Sequence, residues 1–302
     1  MSRRPGSGER RLAWTLLSPA LAVLAAVAVF PLAWTVWESL HQHDLRMPWL
    51  GRPFAGLANY AELAGDGRFW EALAHTLLFT AVSVGLELAL GLVLALALDR
   101  AVRARGLLRA AVLVPWAIPT VVAALLWRFL FDSQAGVVNP WLTRAGLLDQ
   151  PVVWASGAFT AWVPVVLADV WKTTPFVALL LLAGLQTIDR SLYESAAVDG
   201  AGGLRQLVSI TLPLLRPALL VALLFRTLDA FRVFDLVYVI TGGGPGTATE
   251  TLALYTFNAL FSNLRFGYGA ALSVVVFGTV FLLALAFLRL LRPAGWAGEG
   301  DR

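Results

Sequence analysis

The chain has 302 residues, of which 59% are hydrophobic and only 14% are charged, and its mean hydropathy is +0.74. A soluble domain has about 45–50% apolar and about 25% charged residues, so this composition indicates an integral membrane protein. The formal charge is +4, but the basic residues are scattered around apolar segments, which argues against a nucleic-acid partner. The absence of cysteine excludes disulfides, cysteine–metal sites and thiol catalysis.

Lys172 is the only lysine in the sequence, and it follows Trp171. A phosphate-binding loop of the G-x-x-x-x-G-K-[ST] type needs a lysine directly after a glycine. The chain therefore does not hydrolyse ATP through such a loop, and we expect it not to be an enzyme. His41 and His43 resemble half of a metal site, but the sequence offers no third ligand nearby, so we predict no metal.

The N-terminal tail, 1–11, is rich in arginine and is expected to be a cytoplasmic anchor. A twin-arginine export signal is the weaker interpretation, because Pro5 follows the arginine pair and no small-residue cleavage site is evident. The first apolar segment, about 12–40, exceeds the roughly 20 residues needed to cross a bilayer. Pro19 and Pro31 are expected to kink it, which membrane helices tolerate.

Five further apolar segments are long enough to span the membrane. They lie at about 70–98, 108–131, 158–185, 214–240 and 268–291. The predicted fold is therefore all-α, with six transmembrane helices and short loop helices near Asn139-Pro140 and at 251–261. By domain, the first helix and its loop occupy 12–69, the five-helix core occupies 70–291, and the C-terminal tail is 292–302.

Six spans place both termini on the same side of the membrane, and the basic residues indicate which side that is. The two tails, the loop after the second span and the segment 187–217, counted together with Arg109 and Arg289 at the adjoining span ends, carry 14 basic residues, whereas the opposite loops carry five. Both termini and the segment 187–217 are therefore predicted to be cytoplasmic.

The segment 187–217 is the polar interruption in this apolar chain, and lipid cannot solvate its charges or its turn backbone. Ser191 followed by Glu194 predicts a capping box at the start of a short helix. Gly200 stands where that helix would end. Pro213 and Pro217 are expected to open the next span, where missing N–H groups cost little. As structure alone, Glu194 needs no role beyond capping its helix.

The spacing within this segment resembles a known motif. Glu194-Ser195-Ala196, followed by Gly200, Ile210 and Leu212-Pro213, resembles the EAA loop of permease subunits of binding-protein-dependent ABC importers. Ser195 stands where that family usually has alanine, and Asp189 where it commonly has proline. The strings WKTTPF at 171–176, AGLQ at 183–186, TGGGP at 241–245 and FGYGAA at 266–271 resemble its carbohydrate branch, and residues 221–241 most resemble trehalose- and maltose-type permeases.

The resemblance implies a type I (MetI-like) permease fold in a bacterial or archaeal cell membrane. It implies a second homologous permease, two copies of an ATPase subunit that bind ATP and magnesium, and an extracytoplasmic binding protein. No cofactor is expected on this chain. The EAA loop would act as a coupling helix in a cleft of the ATPase, with Glu194 as the polar contact. The coupling residues would be Tyr193, Glu194, Ala196, Ala197, Asp199, Gly200, Ala201, Ile210, Leu212 and Pro213.

Charged residues also occur inside the predicted spans, where each would cost roughly 2.5–3.5 kcal/mol if it faced lipid at mid-membrane. Arg226, Asp229, Arg232 and Asp235 are spaced by three and are expected to form a stripe along the fifth span. Two interpretations remain open: a polar translocation path, or an ion-pair network that fixes this span to its neighbours. The path candidates are Glu87, Asp169, Lys172, Arg226, Asp229, Phe231, Arg232 and Asp235.

Asp169 and Lys172 are one helical turn apart and are expected to face each other. Phe225, Phe231 and Phe234 would offer aromatic faces to a sugar ring. Glu87 is isolated in sequence, and an arginine is the suggested partner.

The leading functional prediction is a permease subunit of an ATP-driven importer for a di- or oligosaccharide such as trehalose or maltose. An importer permease for another solute, such as glycerol phosphate or a peptide, is an alternative. An ion-coupled secondary transporter is a further alternative, but such transporters show internal repeats and discontinuous helices. Neither feature is evident in this sequence.

Overall fold

The structure is a computed structural model that describes residues 7–100 and 105–291. Within these ranges the regular elements are helical and no β-strand is present. The helices are α1 Ser7–Leu24, α2 Phe30–Ser39, α3 Ala58–Gly65, α4 Gly67–Arg100, α5 Arg105–Ala117, α6 Thr120–Leu130, α7 Val138–Arg144, α8 Trp162–Leu185, α9 Arg190–Val198, α10 Gly203–Gln206, α11 Leu212–Ala230, α12 Asp235–Ile240, α13 Leu252–Phe257 and α14 Phe266–Leu291. The predicted tail at 292–302 and the first six residues of the tail at 1–11 lie outside the described residues.

Five helical segments in the described part of the chain are long and apolar enough to cross a membrane. They are Trp14–Ser39, Gly67–Arg100, Trp162–Leu185, Gly203–Ala230 and Phe266–Leu290. The number rises to six if α5 and α6, which are bent by 83° at their junction, form one span. The prediction of an all-α membrane protein is confirmed, and short helices lie at both predicted loop positions, as α7 and α13.

Two of the predicted spans are interrupted. The third predicted span breaks directly before α6, at Pro119. Proline supplies no backbone N–H group and disfavours the helical conformation for the residue that precedes it. The helix of the fifth predicted span ends at Ala230, and α12 begins only at Asp235. The expectation of uninterrupted helices is therefore wrong at both places.

The fifth span also begins earlier than predicted. α10, a π-helical turn at Leu207–Thr211 and α11 form one continuous helix, Gly203–Ala230. Pro213 is the second residue of α11, where the prediction placed it, but the continuous helix starts at Gly203 and Pro217 lies inside it. The π-helical turn changes the hydrogen-bond register directly before Pro213, which helps the helix to accommodate a residue without an N–H group.

The chain divides into two compact units, the first of which comprises Met1–Asp66 and Thr256–Phe277. Within this unit the side-chain amide of Asn59 fixes α3 against the end of α2. It donates to the backbone carbonyls of Ser39 and His41 at 2.8 and 3.0 Å. The loop that follows α2 is therefore held by buried hydrogen bonds rather than by apolar packing alone.

The second unit comprises Gly67–Tyr255 and Gly278–Arg302. In it α4, α8 and α11 pack on one another around an apolar core. Gly184 allows α8 and α11 to approach each other closely, because a Cβ atom there would lie 2.6 Å from the Cβ of Ala218. α5, α6 and α12 also contact α8, and α6 contacts α12. The two interrupted helices thus lie beside the same continuous helix.

Candidate coupling helix and intramembrane polar site

The helix α9 lies between the long helices α8 and Gly203–Ala230 and begins with a side-chain cap. Asp189 precedes its first residue, and the Asp189 carboxylate accepts a hydrogen bond from the backbone N–H of Ser191 at 2.9 Å. This hydrogen bond lowers the pKa of the Asp189 carboxyl below its ordinary value. The capping box predicted from Ser191 and Glu194 is wrong, because the helix already begins at Arg190.

The end of α9 is closed by its own backbone. Gly200 has a φ of +77°, a conformation that glycine adopts without strain. The N–H of Ala201 donates to the carbonyl of Ala196 at 2.8 Å, and the N–H of Gly200 donates to the carbonyl of Ala197 at 3.1 Å. These two bonds form a Schellman motif. The prediction that the helix stops at Gly200 is confirmed.

The side chain of Glu194 is exposed and has neither a hydrogen-bond nor an ion-pair partner among the described residues. Tyr193 is half-buried, and its hydroxyl lies 3.0 Å from the Thr211 hydroxyl, which ties α9 to the helix that follows. The other predicted coupling residues are exposed (Ala197, Asp199, Gly200, Pro213) or half-buried (Ala196, Ala201, Ile210, Leu212). α9 is therefore a short helix, capped at both ends, that presents an unpaired carboxylate.

A buried ion cluster lies between α4, α8 and α11. Arg226 is 2% exposed and Glu87 is fully buried. Nη2 of Arg226 donates to Glu87 Oε1 at 2.8 Å, and Nε of Arg226 donates to Glu87 Oε2. The same guanidinium contacts Asp169 at 3.1 Å and Asp229 at 2.5 Å. One arginine therefore connects carboxylates from three helices, and the suggested pairing of Glu87 with an arginine is confirmed.

Two hydroxyl groups complete the cluster. The Ser83 hydroxyl lies 2.5 Å from Oδ2 of Asp169, and the Thr173 hydroxyl donates to Oε1 of Glu87 at 2.6 Å. Neither residue was predicted from the sequence, although a usable signal was present. Ser83 precedes Glu87 by four residues and Thr173 follows Asp169 by four, so each shares a helix face with an acid.

An open pocket of about 330 Å³ borders this cluster, between the two helix breaks. Asp229 has a side chain that is 64% exposed although it pairs with Arg226. The ammonium group of Lys172 donates to the backbone carbonyl of Trp116, where α5 approaches its break, at 3.2 Å. The polar residues that line the pocket are Thr120, Asp169, Lys172, Thr173, Asp229, Arg232 and Asp235.

Three predictions about these charges need correction. Arg232 and Asp235 do not continue a helical stripe from Arg226, because the helix ends at Ala230. Asp169 forms its ion pair with Arg226 rather than with Lys172. Phe231 is 1% exposed and does not present its ring to the pocket, whereas Phe234, which was predicted with it, lines the pocket.

This arrangement of membrane helices is also found in a chain of a solved ABC transporter. A solved bacterial ABC transporter involved in the import of the acidic polysaccharide alginate contains a chain that matches with a TM-score of 0.79. The match covers 94% of this chain and 96% of that chain at 21% identity, and so shows a shared fold.

The chain belongs to the family described as binding-protein-dependent transport system inner membrane components, whose model matches residues 87–294. It is 44% identical over 283 residues to the trehalose/maltose transport system permease protein MalF of Thermococcus litoralis, a match that covers 93% of this chain and 94% of the relative. It is 43% identical to the trehalose transport system permease protein SugA of Mycobacterium tuberculosis, over 98% of this chain and 94% of that relative.

The chain is therefore a membrane-embedded permease subunit of an ABC transporter and not an enzyme. Family membership, rather than helix continuity, excludes the ion-coupled secondary transporter. The argument that secondary transporters have discontinuous helices does not exclude that class, because the described helices of this chain include discontinuous ones.

Proposed function

We propose that the chain forms one half of the membrane path of an importer for a neutral sugar, a di- or oligosaccharide such as trehalose or maltose. The names of two relatives that are 43–44% identical over nearly their whole length support this substrate class. The charges around the pocket support it as well. The lining carries both signs, with Lys172 and Arg232 beside Asp169, Asp229 and Asp235, so the pocket offers hydrogen-bond donors and acceptors without the surplus of basic residues that an anion path would favour.

The observation that carries this proposal is the position of α9 in the chain. It is the direct connection between α8, which bears Asp169 and Lys172, and the helix Gly203–Ala230, which bears Arg226 and Asp229. A rigid helix tied at both ends to these elements transmits the movement of a bound partner to the pocket. In this proposal α9 is the coupling helix, and Glu194 is its polar contact with an ATPase subunit.

The polar residues then divide into two groups. Glu87, Asp169 and Arg226 are buried, and they brace three helices against one another. Lys172, Asp229, Arg232 and Asp235 are open to the pocket and form the translocation path. This division combines the two interpretations that the sequence left open.

The proposed assembly contains a second, homologous permease, two copies of an ATPase subunit and an extracytoplasmic binding protein. ATP and magnesium would bind to the ATPase subunits and close them around the two coupling helices, which would turn the cavity outward. Both termini and the loop 187–217 would be cytoplasmic, as the distribution of basic residues indicates. The five-helix core and the first helix with its loop remain the proposed domain division.

The test is uptake of radiolabelled trehalose and maltose by vesicles that contain this chain with its partner permease, ATPase and binding protein. We expect uptake that requires both ATP and the ATPase. Uptake that persists without the ATPase would refute the proposal. Uptake of glycerol phosphate or a peptide, but not of sugar, would instead assign the chain to the alternative substrate class.

The coupling role is tested separately with Glu194→Lys. This variant should reach the membrane normally but lose co-purification with the ATPase and stimulation of its activity, because the exposed carboxylate is replaced by a cation. Asp149→Lys reverses a charge at another exposed position and serves as the control. Normal coupling in Glu194→Lys would leave Glu194 without a role in docking.

A further inference from the structure

A second pocket, of about 410 Å³, lies in the first unit, where the apolar span Trp14–Ser39 ends. Its volume falls within the range of about 300–1,000 Å³ that is typical of small-ligand sites. The residues that define its chemistry are Trp34, Leu45 and Phe266 on the apolar walls and Glu38, His43 and Arg52 among the polar groups.

Glu38 lies in the last turn of α2 and is 6% exposed. Its Oε1 contacts Nδ1 of His43. Its Oε2 is buried and has no hydrogen-bond partner in the described part of the chain. Arg52 approaches this oxygen only to 3.9 Å, which is too far for a hydrogen bond. A buried carboxylate oxygen without a donor is unfavourable, so this atom indicates a ligand that donates to it.

The charges at the pocket are ordered from inside to outside. The Glu38 carboxylate is buried, whereas the Arg52 side chain is 48% exposed. A complementary ligand therefore carries a cationic hydrogen-bond donor at its inner end and an anionic group directly next to it. Because the donor must reach a single carboxylate oxygen, a primary ammonium fits, whereas a quaternary ammonium has no N–H to donate.

The pocket also lies where lipid headgroups are found. Glu38 and Ser39 are the last residues of a membrane-spanning helix. The side chains of Trp34 and Trp37 on the same helix are exposed, as is common for tryptophan at membrane interfaces. The apolar walls of the pocket suit the first part of an acyl chain.

We infer that this pocket binds the headgroup of an aminophospholipid of the phosphatidylethanolamine type. The ammonium donates to Oε2 of Glu38, the phosphate pairs with the guanidinium of Arg52, and the acyl chains leave along Trp34 and Phe266. The inference requires only that the chain is embedded in a membrane, and it does not depend on the sugar.

The test uses the full chain, with the subunits that co-purify, in nanodiscs of phosphatidylcholine and phosphatidylglycerol with increasing phosphatidylethanolamine. Native mass spectrometry counts the phosphatidylethanolamine retained per chain. We expect the unchanged protein to retain it about tenfold more strongly than phosphatidylcholine, as one charge-assisted hydrogen bond allows. Glu38→Gln and Arg52→Ala should each lose this preference. Glu71→Gln, which neutralises an exposed carboxylate elsewhere, should keep it.

Arg52→Ala alters an exposed side chain, so it carries the test if Glu38→Gln fails to fold. Equal retention of both lipids by the unchanged protein would overturn the inference, and so would an unaltered preference in Arg52→Ala. A second arm titrates free O-phosphoethanolamine in nanodiscs that lack phosphatidylethanolamine. If it binds there as tightly as the lipid does, the same chemistry serves a soluble ligand and the lipid assignment is wrong.

Discussion

Nη2 of Arg226 donates to Oε1 of Glu87 at 2.8 Å, and both side chains are excluded from solvent. The two residues are 139 positions apart in sequence, so this bond joins α11 to α4 directly. Removing one partner of such a pair leaves a buried charge without compensation, whereas an exposed charge is compensated by water.

Arg226→Ala should therefore lower the free energy of unfolding by about 3–5 kcal/mol, because Glu87 and Asp169 lose their shared cation. The measurement is thermal unfolding of the purified protein in detergent, together with its amount in the membrane. Arg232→Ala is the matched control: this arginine is exposed, so its removal should change stability by about 0.5 kcal/mol or less. Equal stability of the two variants would contradict the bracing role of Arg226.

Asp229→Asn and Lys172→Gln should impair transport more than folding. Both side chains are open to the pocket. Replacing either one removes a charged group that can form a hydrogen bond with the solute, so uptake should fall roughly tenfold or more. Uptake rates and unfolding temperatures are measured on the same preparations, with Asp149→Asn as a control outside the pocket. If the two variants unfold as early as Arg226→Ala, their effect on uptake is structural and the path assignment fails.

Asp189→Ala should loosen the first turn of α9, because the N–H of Ser191 loses its acceptor. Hydrogen exchange of the α9 amides measures this loss, and Asp189→Asn, which keeps an acceptor, should exchange as slowly as the unchanged protein. Unaltered exchange in Asp189→Ala would show that the cap contributes nothing.

The same cap predicts a dependence on pH. The folded-state pKa of Asp189 is lowered from the ordinary 3.8, so its stabilisation is fully present above that value. The stabilisation is lost only when the pH falls below 3.8 and then passes through the lowered pKa of the folded protein. Exchange in α9, corrected for the intrinsic effect of pH, should therefore be constant from neutral pH to about pH 5, well above the ordinary range of an aspartate. A cap that weakens between pH 7 and pH 5 would contradict a lowered pKa.

Gly184→Val should separate α8 from α11, because its Cβ would lie 2.6 Å from the Cβ of Ala218 and 2.8 Å from Cδ1 of Leu215. Overpacking of this kind costs about 1–3 kcal/mol of stability. Gly278→Val is the control, since a Cβ at that helical glycine meets no atom within 4 Å. Thermal unfolding distinguishes the two variants, and an equal effect of both would trace the loss to glycine replacement in general.

The sequence predicted most of the fold because composition and span length reflect the bilayer itself. It also predicted the stop at Gly200, because the left-handed conformation there is a local property of the backbone. The start of α9 was misassigned because Ser191 and Asp189 are both good capping residues, and only the backbone decides between them. The breaks beside Pro119 and at Ala230 were missed, because membrane helices often contain proline and charge without breaking.

The partners of Arg226 follow from tertiary structure, and spacing along the chain placed only Asp229 within one helical turn of it. The spacing of three from Arg226 to Asp235 assumed one continuous helix. That assumption placed Arg232 and Asp235 on a face that does not exist. The predicted pairing of Asp169 with Lys172 rested on their spacing within α8, whereas Asp169 pairs with Arg226 of another helix. Long-range partners of this kind depend on which helices pack together, which a single sequence does not contain.

The two caps of α9 determine when the order of this helix is established. Asp189 closes one end, the Gly200 turn closes the other, and Tyr193 fastens the middle to Thr211, all through atoms of this chain. The conformational entropy of α9 is therefore lost when the permease folds and not when a partner docks. In the proposed docking of α9 to an ATPase subunit, assembly begins with a rigid surface, so less of the binding free energy is spent on ordering the interface.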